Sequence, residues 1–196
     1  RGVATVLVTN GYVTPAAFTD LYGNVAAANV DLKAMSDGFY RQRTRSRLEP
    51  VLETLRRIRR ETGAWLEITN LVVPTLNDSA DDLKRLADWV VAELGPDVPL
   101  HFTAFHPDCD LRDLPRTGPA ALAGARRIAR AAGLRFVYEG NVAGAGGHTD
   151  CPGCGTELVR RSWHEVLENQ IVEGRCPRCR QAIAGRWESA WSGEVR

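Results

Sequence analysis

From Val3 to Tyr138 the chain alternates short apolar runs with stretches of helical periodicity, and this alternation constrains its fold more than any single motif. Val3-Ala4-Thr5-Val6-Leu7-Val8 is β-branched and almost continuously apolar, which predicts a strand buried on both faces of a parallel sheet. Thr14-Pro15 then supplies an N-cap and a first-turn proline, opening a helix that runs toward Tyr22. Further strands are expected at Asn29–Leu32, Leu66–Val73, Leu100–Phe105 and Leu134–Tyr138. Between them, Ser36-Asp37 opens one helical stretch. Leu48–Glu61 carries Val51, Leu52, Leu55 and Ile58 at helical spacing and is stopped by Gly63. Ser79 caps a helix ended by Gly95-Pro96, and Pro119–Ala132 is a last one, ended by Gly133. Regular strand–helix alternation means βαβ units with right-handed crossovers. The fold class is α/β, with five strands forming either an open doubly wound sheet or an arc of a (β/α) barrel.

The C-terminal part obeys different rules. Cys151-Pro-Gly-Cys154 and Cys176-Pro-Arg-Cys179 are two tight turns separated by a hairpin-length excursion. Two thiolates on each turn make half of a tetrahedral metal site, so residues 148–188 read as a four-cysteine, zinc-ribbon-like module. Disulfides are the weaker alternative for an intracellular chain of this size, and iron in the same thiolate cage is left open by spacing alone. A glycine-rich linker at 141–147 separates this module from residues 1–140, and 189–196 form a tail. His148 and His164 flank or lie within the ribbon and read as spectators, since four cysteines already complete a ligand set.

Composition narrows the partners. A formal net charge of +1 gives no global attraction to nucleic acid or an anionic membrane. No run approaches the roughly 20 apolar residues needed to span a bilayer, and no signal peptide opens the sequence, so a cytoplasmic location is expected. The ribbon carries Arg160, Arg161, His164 and Arg175 but no dense basic–aromatic array, which argues against nucleic acid. Arg41, Arg43, Arg45, Arg47, Arg56, Arg57, Arg59 and Arg60 form a basic stretch that Glu49, Glu53 and Glu61 are expected to balance. The chain starts Arg1-Gly2 and runs at once into a core-like strand, which predicts missing residues upstream.

In parallel α/β folds chemistry gathers where strands end. The first strand here ends in Thr9-Asn10-Gly11 and the second in Asp31-Leu32-Lys33. The third runs through Glu67-Ile68-Thr69-Asn70 and Leu71-Val72-Val73-Pro74 to Asn77-Asp78, and the fourth ends in His106-Pro107-Asp108. Each is weak alone: Asn10-Gly11 is also turn chemistry, and Lys33 is also an ordinary solvated charge. Their common placement at the same end of successive strands is the signal. Cys109, the remaining cysteine, reads as incidental.

In this order, these segments resemble the radical S-adenosylmethionine (SAM) enzymes of the pyruvate formate-lyase activating type, and more closely the radical SAM member of the AmmeMemoRadiSam system. Tyr138-Glu139-Gly140-Asn141 followed by the Cys-x-x-Cys ribbon extends the resemblance over essentially the whole chain. It implies a partial (β/α) barrel, here the last four barrel strands plus one, that handles SAM beside a [4Fe–4S] cluster to generate a 5′-deoxyadenosyl radical. By the same resemblance Lys33 meets the SAM carboxylate and Asn10 lies near its ribose or methionine part. Thr69 takes the place of a polar SAM contact, Val72 or Val73 flanks the adenine, and His106 lines the pocket.

Two departures bear on mechanism. Val8 stands where the activating enzymes have an acidic residue. The family's Cys-x-x-x-Cys-x-x-Cys loop and the glycine-rich strand after it are absent, so the first strand here matches the family's third and two βα units are expected upstream. The cluster ligands would then lie outside this chain, leaving Zn²⁺ at the ribbon and SAM at the rim as its own cofactors. The substrate, a protein or a small molecule, and partners from the same system are not specified by the residues. Two other classes stand beside this reading: a ribbon that binds protein or nucleic acid on a scaffold barrel, and a barrel lyase using Lys33 as a Schiff-base nucleophile.

Overall fold

The computed structural model describes residues 3–142, 147–163 and 165–187. The glycines of the expected linker, His164 and the tail lie wholly or largely outside them. Five strands, β1 (Val6–Thr9), β2 (Ala27–Asp31), β3 (Trp65–Val72), β4 (Leu100–Ala104) and β5 (Val137–Gly140), form one sheet in the order β1-β2-β3-β4-β5. Every neighbouring pair is parallel. The helices are α1 (Pro15–Tyr22), α2 (Asp37–Phe39), α3 (Leu48–Glu61), α4 (Ala80–Leu94) and α5 (Pro119–Ala131). Among the described residues β1 and β5 are not paired with each other, so the sheet is an open arc.

Strand parity decides which residues meet the helices. Ala28, Val30, Leu66, Ile68, Val72, Leu100, Phe102 and Val137 are buried in one cluster with Phe18, Tyr22, Val51, Leu55, Leu86, Val90, Leu122 and Ala125 from the helices. The alternate residues, Asn29, Asp31, Glu67, Thr69, His101, Thr103 and Tyr138, are half-buried on the opposite, concave face. Each helix starts where its sequence signals it. Thr14 Oγ1 accepts from Ala17 N and Ser79 Oγ from Asp82 N, satisfying first-turn amides. Asp37 does the same at a distance: its carboxylate accepts from Leu48 N at 3.1 Å and pairs with Arg41 and Arg47, and these partners hold its pKa down at about 2.

The structure departs from the sequence reading most at the first and fifth strands. The first strand is not buried on both faces: Val6 and Val8 are 60% and 78% exposed. Among the described residues it has a neighbour on one side only, and of its side chains Leu7 packs against the core. The fifth strand begins at Val137 rather than Leu134. Gly133, at φ +109°, breaks out of α5, and Leu134 N still bonds back to Ala129 O at 3.2 Å, so these residues belong to the turn.

The arginine stretch is balanced largely as expected. Arg56 bonds Glu49, Glu53 and Glu93, Arg57 bonds Glu61, and Arg41 and Arg47 share Asp37. Among the described residues no helix is long and apolar enough to cross a membrane.

After β5 the chain forms a second, antiparallel sheet, β6 (Thr149–Asp150), β7 (Glu157–Ser162) and β8 (Glu165–Asn169). This ribbon is not independent of the larger sheet. Phe136 shares its small core with Cys151, Leu158, Val159, Cys176 and Ile183. Tyr138 Oη and Thr149 Oγ1 lie 3.0 Å apart, and Arg126 reaches toward both Glu139 and Asp150. Arg186 returns to donate to the carbonyl of Gly63, just before β3.

Candidate functional site

Three features stand out: a polar rim on the concave side near the strand ends, a metal centre in the ribbon, and a cleft between ribbon and sheet. The rim is built from the segments that follow β1, β2 and β4 and from the concave face of β3. Asn10 follows β1, exposed, its Oδ1 accepting from Tyr12 N at 2.9 Å in a tight turn. Gly11 next to it has φ +69°, and an added Cβ would come within 2.7 Å of Val30 Cγ1, so only glycine turns the chain here. Lys33 follows β2, with Nζ 2.9 Å from Asp31 Oδ2 and its side chain one-third exposed. Thr69 lies on the concave face of β3, opposite Asp31 and His101 in register, and donates to Asn29 Oδ1 at 2.8 Å. His106 lies two residues past β4, exposed, with Nδ1 near Pro107 O.

Three residues of the rim expected from sequence turn out to be scaffold. Val72 is fully buried on the helix-facing side of β3, and its carbonyl accepts from Thr117 Oγ1. It presents no side chain to the concave face, because strand parity puts it with Ile68 and Asn70. Asn70 and Asn77 are also buried, and they clamp the backbone around Lys33. Asn70 Nδ2 donates to the carbonyls of Leu32 and Lys33, and Asn77 Nδ2 to those of Lys33 and Leu71. Asn77 Oδ1 accepts from Val73 N at 2.7 Å. From the other side Lys33 N donates to Tyr40 Oη, whose pKa burial pushes up to about 12 and which therefore stays an intact phenol. The turn bearing Lys33 is thus fixed largely by buried groups.

In the ribbon the four sulfurs of Cys151, Cys154, Cys176 and Cys179 all lie within 4.8 Å of one another. Cys151–Cys179 and Cys154–Cys176 are 3.5 and 3.7 Å apart. A disulfide needs about 2.05 Å, so these are free thiols. A tetrahedron with metal–sulfur bonds of about 2.3 Å has edges of about 3.8 Å, which these spacings match. A cubane cluster would spread its four thiolates over four irons, much further apart. The site fits one ion and leaves no open coordination position.

The two turns repeat each other. Gly155 N donates to Cys151 O and Arg180 N to Cys176 O, both at 2.9 Å, while Cys151 N and Cys176 N donate to Thr156 O and Gln181 O. Gly155 and Arg180 occupy equivalent left-handed positions, φ +70° and +64°. Arg180 bears a strain there that glycine avoids. Arg180→Gly should therefore stabilise the metal-loaded ribbon by about 0.5–1 kcal/mol, while Gly155→Ala, with nothing within 4 Å, should weaken it similarly. Thermal denaturation of the two variants checks the pair; a loss of stability in Arg180→Gly would refute the equivalence.

The third feature is one that sequence reasoning did not assemble. A cleft of about 610 Å³ lies between the concave face and the β7–β8 hairpin, lined among others by Glu67, His101, Tyr138, His148, Arg161 and Trp163. His101 Nε2 sits 2.7 Å from Glu67 Oε2, and Trp65 Nε1 donates to Glu67 Oε1. Burial alone would raise the Glu67 pKa, but His101, Trp65 and Arg161 outweigh it and keep it below the usual carboxylate range. His101 stacks on Tyr138 with ring centroids 5.0 Å apart, and the Arg161 guanidinium lies over the same ring, 5.8 Å from its centroid. The available signal was the two-residue alternation His101, Thr103 on β4, which shares the parity of Glu67 and Thr69.

An α/β protein with a parallel open sheet, a polar strand-end rim and a four-cysteine ribbon is the class that fold and site define. No family model matches the chain. An uncharacterized protein of Methanocaldococcus jannaschii is 40% identical over 186 residues, which cover 93% of this chain and 55% of that protein. The chain therefore spans about half the length of the curated relative it matches. A domain of the pyruvate-formate lyase-activating enzyme from Bacteroides vulgatus superposes with a TM-score of 0.62 at 15% identity, covering 71% of this chain and 83% of that one. A radical SAM methyltransferase from Sphaerobacter thermophilus gives 0.56 at 18% identity, over 70% of this chain and 40% of the other. At such identities the likeness is one of fold, and the fold is that of the radical SAM-type partial barrel.

Proposed function

We propose that this chain is the SAM-binding C-terminal portion of a radical SAM enzyme. The observation that carries the reading is the rim: Asn10, Lys33 and His106 follow the C-terminal ends of β1, β2 and β4, and Thr69 lies on the concave face of β3 between β2 and β4, in a fold shared with radical SAM proteins. Lys33 would hold the SAM carboxylate. An ammonium has three donors and Asp31 takes one, so two remain for a ligand. The buried clamp of Tyr40, Asn70 and Asn77 fixes the backbone from which that ammonium projects. Asn10 and His106 would bound the ligand from either side, and Thr69 would face it from the sheet. When bound and reduced, SAM supplies a carbon radical that abstracts a hydrogen atom.

The chain's own residues do not fit the iron–sulfur cluster of this chemistry. Of five cysteines, four form the closed ribbon site and Cys109 stands alone in an exposed turn. We assign the cluster to a segment outside this chain that pairs with the free edge of β1 and covers Val6 and Val8. The unpaired edge, the exposed valines and the greater length of the relative support this assignment. At the ribbon, zinc is the ion we favour. A Schiff-base role for Lys33 gains no support, because its ammonium is ion-paired and part-exposed rather than desolvated.

Calorimetric titration with SAM tests the reading. The chain should bind it, and Lys33→Ala should weaken binding at least tenfold, about 1.4 kcal/mol, while leaving 5′-deoxyadenosine binding unchanged. Incubated anaerobically with iron, sulfide and a strong reductant, the chain should release no 5′-deoxyadenosine from SAM. Undiminished SAM binding by Lys33→Ala, or turnover by this chain alone, would overturn the corresponding half of the proposal.

A further inference from the structure

We infer that the cleft between the sheet and the ribbon binds a small organic anion, a molecule with a carboxylate or phosphate group on a flat apolar body. Its volume, about 610 Å³, is that of a pocket for a small organic ligand. Tyr138, Trp163 and Val166 give it apolar walls. Its polar lining holds two carboxylates as well as donors: Glu139, whose Oε1 lies 3.9 Å from Arg126 on the helix side of β5, and Glu67. Both oxygens of Glu67 are already engaged, by Trp65 Nε1 and His101 Nε2, so this carboxylate of the concave wall is spoken for. Arg161 uses Nη1 on Gly147 O and Thr149 Oγ1, and a guanidinium carries five N–H donors, so others remain. His148 Nδ1 accepts from the backbone amide of Arg161 at 3.1 Å, which puts the ring proton of the neutral imidazole on Nε2 and makes that nitrogen a donor. A guanidinium and an imidazole N–H lining the same cleft as aromatic side chains complement an anion attached to a planar group.

This site is distinct from the rim. None of Asn10, Lys33, Thr69 or His106 lines the cleft. The two nevertheless share a wall, since His101 of the cleft stands opposite Thr69 of the rim in the β3–β4 register. If the rim holds SAM as proposed above, the anion in the cleft is the molecule acted upon; that link rests on the SAM reading, while binding of the anion does not.

The probes are phenyl phosphate, phenylacetate and the neutral phenylacetamide, titrated into the metal-loaded chain and followed by ¹H–¹⁵N spectra. Both anions should shift the Trp163 indole and Arg161 signals in a saturating manner, with phenylacetamide at least tenfold weaker. The ratio between the two anions tells phosphate from carboxylate recognition. Arg161→Gln should erase the preference for the anions over the amide. His148→Asn, which keeps an acceptor for the Arg161 amide but deletes the Nε2 donor, should reduce anion affinity several-fold without disturbing the ribbon's metal content. Lys33→Ala should leave these titrations unchanged, so failure here and failure of SAM binding are separable results. Equal binding of the amide, an anion preference that survives both cleft variants, or no saturating shift with any probe would overturn the inference.

Discussion

Removing the metal from the four-cysteine site should unfold the ribbon and erase one wall of the cleft while the α/β sheet stays folded. The ribbon's core consists of Leu158, Val159 and Ile183 around Cys151 and Cys176, with Phe136 lent by the larger sheet. So few apolar side chains cannot by themselves offset the ordering of about 40 residues. A structural zinc site supplies roughly 10–16 kcal/mol of apparent binding free energy, which is then the folding energy of such a module. The sheet, by contrast, buries its own continuous cluster from Phe18 to Val137 and needs no ion. A strong chelator, or Cys176→Ser, should therefore collapse the amide dispersion of residues 149–187 and leave that of β2 to β4 intact. One tightly bound ion per chain should be released as this happens. Persistence of the Arg161 and Thr149 amide signals after chelation would show that the ribbon folds without metal.

The second large effect is expected at Asn77. Its buried amide makes three hydrogen bonds, a buried one from Val73 N and part-buried ones to the carbonyls of Lys33 and Leu71. Asn77→Ala leaves Val73 N and Leu71 O without those partners, while Lys33 O keeps the one from Asn70. At about 1–3 kcal/mol for the buried Val73 amide and less for the part-buried Leu71 carbonyl, the loss should come to about 2–4 kcal/mol. Asn77→Asp should not rescue it, because a carboxylate would face two carbonyl oxygens. Urea denaturation measures the effect, and Asn10→Ala on the exposed turn is the control, expected within about 0.5 kcal/mol of the parent. A near-neutral Asn77→Ala would mean that the Lys33 turn is held by Tyr40 and Asn70 alone.

Much of the fold is visible in the residues themselves. Helix starts at Thr14 and Ser79 and strand segments near β2, β3 and β4 follow from local chemistry, because caps and apolar runs act over a few residues. What failed was non-local. Val6 and Val8 have the composition of a doubly buried strand, but burial depends on neighbours that composition does not state. Asn70, Asn77 and Val72 look like rim residues in the sequence. Only the two-residue parity of β3 and the path after it turn them inward. The cleft is the extreme case: His101, Tyr138, His148 and Arg161 come from four separate segments, two of them brought into place by the four-cysteine ribbon.

The strand order itself has a consequence for how such a molecule grows. Each strand of the large sheet pairs only with its neighbours in sequence, and no later strand is threaded between earlier ones. A sheet wired this way lengthens by accretion: another strand–helix unit can be laid against the β1 edge without breaking a single existing pairing. The far edge is different, since after β5 the chain turns into the ribbon, tied down through Tyr138, Arg126 and Arg186. Among the described residues the β1 edge is thus left bare, while the β5 end of the arc is followed by the ribbon and joined to it through side chains.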